Sequence, residues 1–153
     1  MIERDDLLDG SEEPFVTAAS GYLDAHPNFE DPQPRIYVKF RPAGAKNPYV
    51  ALLDTGAHYC VLAREIADSI RDHLTESIGE TIFRTAQGLV RGDLYAHTVT
   101  LLAERGKPLD IDSVLFISPD WQAPSFLGYV GVLDRMRFAV DPRWNRFYFG
   151  PLR

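Results

Sequence analysis

The chain's 153 residues, 45% hydrophobic and 25% charged, suit a single globular domain with a full core and room for an extension. No apolar run approaches the ~20 residues of a membrane helix, and a net charge of −6 without a basic run argues against a nucleic-acid partner. One cysteine, Cys60, excludes an intrachain disulfide.

The chain starts Met1-Ile2-Glu3-Arg4-Asp5-Asp6, without the basic and apolar regions of a signal peptide, so a soluble cytoplasmic protein is expected. Acid is concentrated at this end. Residues 1–34 hold nine acids against Arg4, a net of −8, whereas residues 35–153 hold thirteen acids and fifteen lysines and arginines, a net of +2. An acidic N-terminal extension (1–34) and a folded domain (35–153) are expected. Phe15, Ala18, Ala19, Tyr22 and Leu23 recur at helical spacing among several prolines. A short docked helix, a mobile arm and a strand joining a dimer sheet are all open readings there.

From Arg35 the pattern turns to β. Ile36 to Phe40 is β-rich, Pro42 to Pro48 is turn chemistry, and Tyr49 to Leu53 returns, predicting a hairpin that ends on Asp54. Val61, Leu62, Ile66, Ile70 and Leu74 then fall at steps of three or four, predicting a helix over about residues 62–74. Thr81 to Thr85 and Leu89 to Leu102 predict a second hairpin around Ala86-Gln87-Gly88; Tyr95, His97, Val99 and Leu101 alternate with smaller or polar residues at the period of a half-buried strand. Another strand is predicted from Ile111 to Ser118. Phe126-Leu127-Gly128 leads into a short helix or turn carrying Val132 and Leu133, and Phe138 to Gly150 predicts a terminal hairpin. The class is mainly β, with one or two helices.

Within this pattern Tyr49 to Leu53 runs directly into Asp54-Thr55-Gly56-Ala57. A buried carboxylate costs several kcal/mol unless something pairs with it. An ordinary Asp-Thr-Gly turn would explain the residue types; so would a strand that delivers a reactive carboxylate to the floor of a cleft.

The order of elements decides between them. A hairpin, Leu52-Leu53-Asp54-Thr55-Gly56-Ala57, a flap-like hairpin, Phe126-Leu127-Gly128, a short helix and a final strand together resemble the retropepsin-like aspartic proteases, the single-domain family of retroviral proteases and their cellular and bacterial relatives. The resemblance covers roughly residues 35–153. It implies a closed β-barrel-like acid-protease half-domain in which the Phe126-Leu127-Gly128 strand crosses beneath the Asp-Thr-Gly loop. It also implies a homodimer, because the chemistry needs two carboxylates and Asp93, Asp134 and Asp141 all lack a following Thr-Gly. Asp54 of each chain would then be the catalyst in hydrolysis of peptide bonds, without cofactor or metal.

By the same resemblance, Thr55 bonds across the dimer axis, and Gly56 admits close backbone approach. Ala57 offers no hydroxyl to hold the carboxylate ionised, so activity should extend toward about pH 5–7. Gln87 and Gly88 at the flap tip would contact substrate. The sequence departs from the family in its longer, helical interval after the loop and in a flap tip poor in glycine. The rival reading is a retropepsin-like dimerisation or peptide-binding module with little proteolysis.

Other constellations carry less. His58 and Cys60 lack further ligands at a metal-site spacing. There is no Gly-x-Ser-x-Gly elbow or phosphate loop. Trp121, Trp144, Phe147 and Phe149 read as core or dimer-interface residues.

Overall fold

The computed structural model describes residues 14–31, 33–85 and 88–152. Its backbone is mainly β. Strands β2 (Tyr37–Pro42) and β3 (Tyr49–Leu53) form the first expected hairpin, with Tyr37 opposite Leu52 and Phe40 opposite Tyr49. β3 then runs parallel to β9 (Phe126–Leu127), which pairs with β4 (Cys60–Val61). β4 lies parallel to β8 (Leu109–Ile117), and β8 is antiparallel to the long β6 (Gly88–Leu101). β6 returns to β2, with Phe40 opposite Leu101, and six strands close into a barrel.

Alternation explains which side chains fill it. Val38, Phe40, Val99, Leu101, Ile111 and Leu115 point inward and are buried; complete burial stabilises each by roughly 1.5–3 kcal/mol. The first half of β6 leaves the barrel and pairs with β5 (Gly79–Thr85), so the second hairpin projects from the wall.

The predicted helix is shorter than its periodicity suggested. α1 spans Arg64–Ser69 and a 3-10 turn spans Arg71–His73, separated by Ile70 at φ −113°, ψ 6°. Ser69 Oγ bonds back to Ile66 O at 2.7 Å, a local competitor of helix propagation. The periodicity still marks the right face, since Leu62, Ile66 and Ile70 are buried.

The N-terminal stretch is a strand. β1 (Ala18–Gly21) sits between β11 (Arg146–Pro151) and the short β7 (Arg105–Gly106), and β10 (Met136–Asp141) flanks β11. The pairing is within the chain, Ala18 against Phe149 and Ser20 against Phe147. Ala18, Ala19 and Tyr22 are buried, and the first and last of these join the same core as Phe147 and Phe149. Gly106, at φ +78°, accepts β1 at close range: a side chain there would come within 2.0 Å of Thr17 O. Of the three open readings the strand is the one found, but it pairs within the chain; Ala18, Ala19 and Ser20 are small enough for a crowded central strand.

Candidate active site

β3 carries Asp54 out of the barrel wall and holds it at the rim. Leu53 N donates to Ile36 O at 2.8 Å, Asp54 N to Leu127 O at 3.0 Å, and Ala57 N back to Asp54 O at 3.2 Å. The Asp54 carboxylate receives a hydrogen bond from Gly56 N at 3.0 Å. Asp54 and Ala57 are half-buried, while Thr55 and Gly56 are exposed at the crest of the loop.

The segment Ser125 to Val130 passes beneath. Ser125 O receives Leu52 N at 2.9 Å, and beyond Gly128 the direction of donation reverses: Tyr129 N bonds Ala57 O and Val130 N bonds His58 O, both at 2.8 Å. Phe126 and Leu127 thus lie parallel to β3 while the residues after them stitch the far limb of the loop. The loop is fixed from below by backbone. Gly128 is the point of closest approach, where a Cβ would lie 2.0 Å from Tyr59 O and 2.8 Å from Ala57 O. At Gly56 the same atom would stand 3.4 Å from Asp54 Oδ1, an ordinary contact. Within one chain the steric demand for glycine is therefore at Gly128.

Ser125, Tyr59 and Phe83 were not singled out by sequence reading. Ser125, buried, accepts Ala63 N on its Oγ at 2.7 Å and so ties the start of α1 to the strand under the loop. Tyr59 reaches from the loop to Phe83 on the projecting hairpin, ring centres 5.5 Å apart, and Phe83 packs edge-on to Phe116 at 4.4 Å. Trp121 joins this second cluster with Val61, against Phe126, and donates its Nε1–H to Pro124 O. An aromatic in the loop and another at the hairpin root are a signal only once the two strands are known to adjoin.

His58 and Cys60 part company. The exposed His58 ring lies edge-on to Tyr59, whereas Cys60 is fully buried beside Gly128. Burial pushes the Cys60 thiol up to about 12, although the Gly128 hydrogen bond favours its charged form. Among the described residues no three His, Cys, Asp or Glu side chains gather as a metal site would require. Phe147 and Phe149 stack in the core, and Trp144 is exposed under the Arg143 guanidinium.

On the projecting hairpin, Phe83 and Val90 face the second cluster while Ile82 and Leu89, 49% and 66% exposed, face away. Gly88 pairs with Thr85, whose hydroxyl donates to Gly88 O at 2.9 Å. Gln87 lies outside the described residues. No helix among the described residues is long and apolar enough to cross a membrane.

No family model and no curated protein matches the chain. Among solved structures it is similar to a retropepsin-like aspartic protease from Rickettsia conorii. The identity is 20% and the TM-score 0.44, over 84% of this chain and 98% of that one.

Proposed function

We propose that the chain is a homodimeric aspartic endopeptidase in which Asp54 of each protomer forms one half of the catalytic pair. The observation that carries the reading is the loop itself. A half-buried carboxylate ends an apolar strand, is held by the Gly56 N–H, and rests on a strand threaded beneath it. A turn with no task beyond reversing the chain would not need that support. Thr55 and Gly56 stand exposed at its crest, available to the same loop of a second copy across a two-fold axis.

Two carboxylates ~3 Å apart cannot both ionise, so the pair holds one proton between them. The ionised partner takes a proton from a water, whose oxygen attacks the scissile carbonyl carbon, while the protonated partner donates to the carbonyl oxygen. The tetrahedral diol then collapses: one hydroxyl gives its proton to the ionised carboxylate and becomes the new carbonyl as the C–N bond breaks, while the protonated carboxyl donates to the leaving nitrogen, so the pair again holds one proton. The hairpin of β5 and β6 would close over an extended peptide and bond its backbone by strand addition, with Gln87 and Gly88 nearest the substrate.

Asp54→Asn is expected to lower cleavage of a peptide library by at least about a thousandfold while light scattering still reports the dimer. Full residual activity would move the chemistry elsewhere, and a cleavage maximum below about pH 3 would contradict the reasoning from Ala57. A wild-type dimer that cleaves nothing would favour the binding-module reading.

A further inference from the structure

The peptide group joining Leu127 to Gly128 is bonded at both ends. Its oxygen receives Asp54 N at 3.0 Å. Its N–H donates to Cys60 Sγ at 3.2 Å. The thiol also lies 3.9 Å from Gly128 O, to which its S–H is directed. A peptide group is planar and rigid, so a displacement of its N–H must displace its oxygen. One stiff plate therefore connects the sulfur of Cys60 to the backbone of Asp54. The loop carbonyls at Ala57 and His58 are occupied by Tyr129 and Val130, and the acceptor that Gly128 N uses is the thiol.

We propose that Cys60 is a positioning residue for Asp54: its thiol anchors the Leu127–Gly128 peptide, and that peptide fixes the height of the carboxylate in the loop. The inference rests on the reading of Asp54 as the catalytic group. A thiol suits the task because sulfur's longer bond to carbon reaches a nitrogen that a hydroxyl would approach less closely. Burial keeps the thiol protonated far above neutral pH, so it accepts from Gly128 N and donates to Gly128 O at once. Complete burial also removes it from solvent oxidants, so the anchor is a fixed one.

The test compares the full-length chain with Cys60→Val, which keeps the volume and removes the acceptor, and Cys60→Ser, which restores an acceptor of shorter reach. Amide hydrogen exchange followed by NMR should show Asp54 and Gly128 exchanging at least about tenfold faster in Cys60→Val, with Val99 and Leu115 in the barrel wall unchanged. Cys60→Ser should recover part of the protection. In peptide cleavage, Cys60→Val should lose on the order of tenfold or more in kcat with KM little altered, as expected when a catalytic group is misplaced and binding is not.

Unchanged Asp54 exchange in Cys60→Val would overturn the proposal, and so would equal acceleration at all four amides, which signals general loosening. Should Cys60→Val fail to fold, the wild-type chain still decides. Its single thiol gives one S–H stretching band, expected below the frequency of an unbonded thiol; an unshifted band overturns the proposal. A wild-type chain that cleaves no peptide would sink the reading of Asp54 as catalyst, whereas the exchange measurements would still report whether the thiol positions it.

Discussion

Gly128 and Gly56, one under the Asp54 loop and one at its crest, carry different burdens. A methyl group at Gly128 must push into the carbonyls of Tyr59 and Ala57, both backbone, which have nowhere to go without opening the loop. Gly128→Ala should therefore cost about 3 kcal/mol or more of folding stability, read as a lowered midpoint in urea. Gly56→Ala, at an exposed crest with ordinary contacts and no left-handed φ, should stay within roughly 0.5 kcal/mol. Equal losses at the two positions would refute this assignment. Cys60 adds a pH dependence of known sign. Its folded pKa of about 12 lies above the unfolded thiol's, so the stability it contributes is complete below about pH 8.5 and declines as pH rises toward 12. Tyr22 and Tyr37 are also raised by burial and would act at higher pH still. The thiol's share is isolated as the difference between wild type and Cys60→Ser from pH 8 to about 10, with a limiting slope of about 1.4 kcal/mol per pH unit.

At the scale of elements, what could be read in advance was what period and turn chemistry encode locally. The hairpin of β2 and β3, the long alternating β6 and the terminal pair β10 and β11 all follow from residues adjacent in sequence. The strand under the loop was legible by a different route, from Phe126-Leu127-Gly128 standing after Asp54-Thr55-Gly56 in the order a known family uses. β4 and β7 were not legible, and for β1 the residues leave three readings open. Each is four residues or fewer, and each exists because a distant partner supplies its hydrogen bonds. Tyr59 and Ser125 escaped for the same reason, as did the hydrogen bond that Cys60 makes, since their partners lie more than twenty residues away. β1 carries a prediction of its own. A chain beginning at Arg35 would leave β11 without one neighbour and uncover the core where Ala18 and Tyr22 had been. A loss on the order of 5 kcal/mol is expected, visible as a collapse of cooperative thermal unfolding. A truncated chain as stable as the whole would show that β1 is dispensable.

For the whole molecule, the proposed dimer should have its centre beside the Asp54 loop. Tyr129 is bonded to Ala57 O through its backbone, yet its side chain is 53% exposed. A large exposed tyrosine beside the crest of the proposed dimer contact is the kind of residue that anchors an interface. Tyr129→Arg places two like charges near the axis and should weaken dimerisation by about tenfold or more, measured by sedimentation. An unaltered dimer would locate the interface elsewhere. If the reading is right, peptide cleavage should fall in proportion to the dimer lost.

The threading of β9 beneath the loop also has a consequence in time. Leu52 pairs with Phe126, and Ala18 with Phe149, so the floor of the loop and the sheet beside it both wait until those distant partners have been made. Long-range pairings of this kind, parallel for Leu52 and antiparallel for Ala18, are slow to form because the intervening chain must close first. During synthesis the Asp54 carboxylate emerges early, without the peptide plate that will hold it. A ribosome-bound chain that stops short of Ser125 carries every residue of the loop and none of the strand beneath it. Under the proposed function, the arrangement delays a competent site until Gly128 has been made, which is a useful order of events for a molecule whose neighbours at that moment are other unfolded chains.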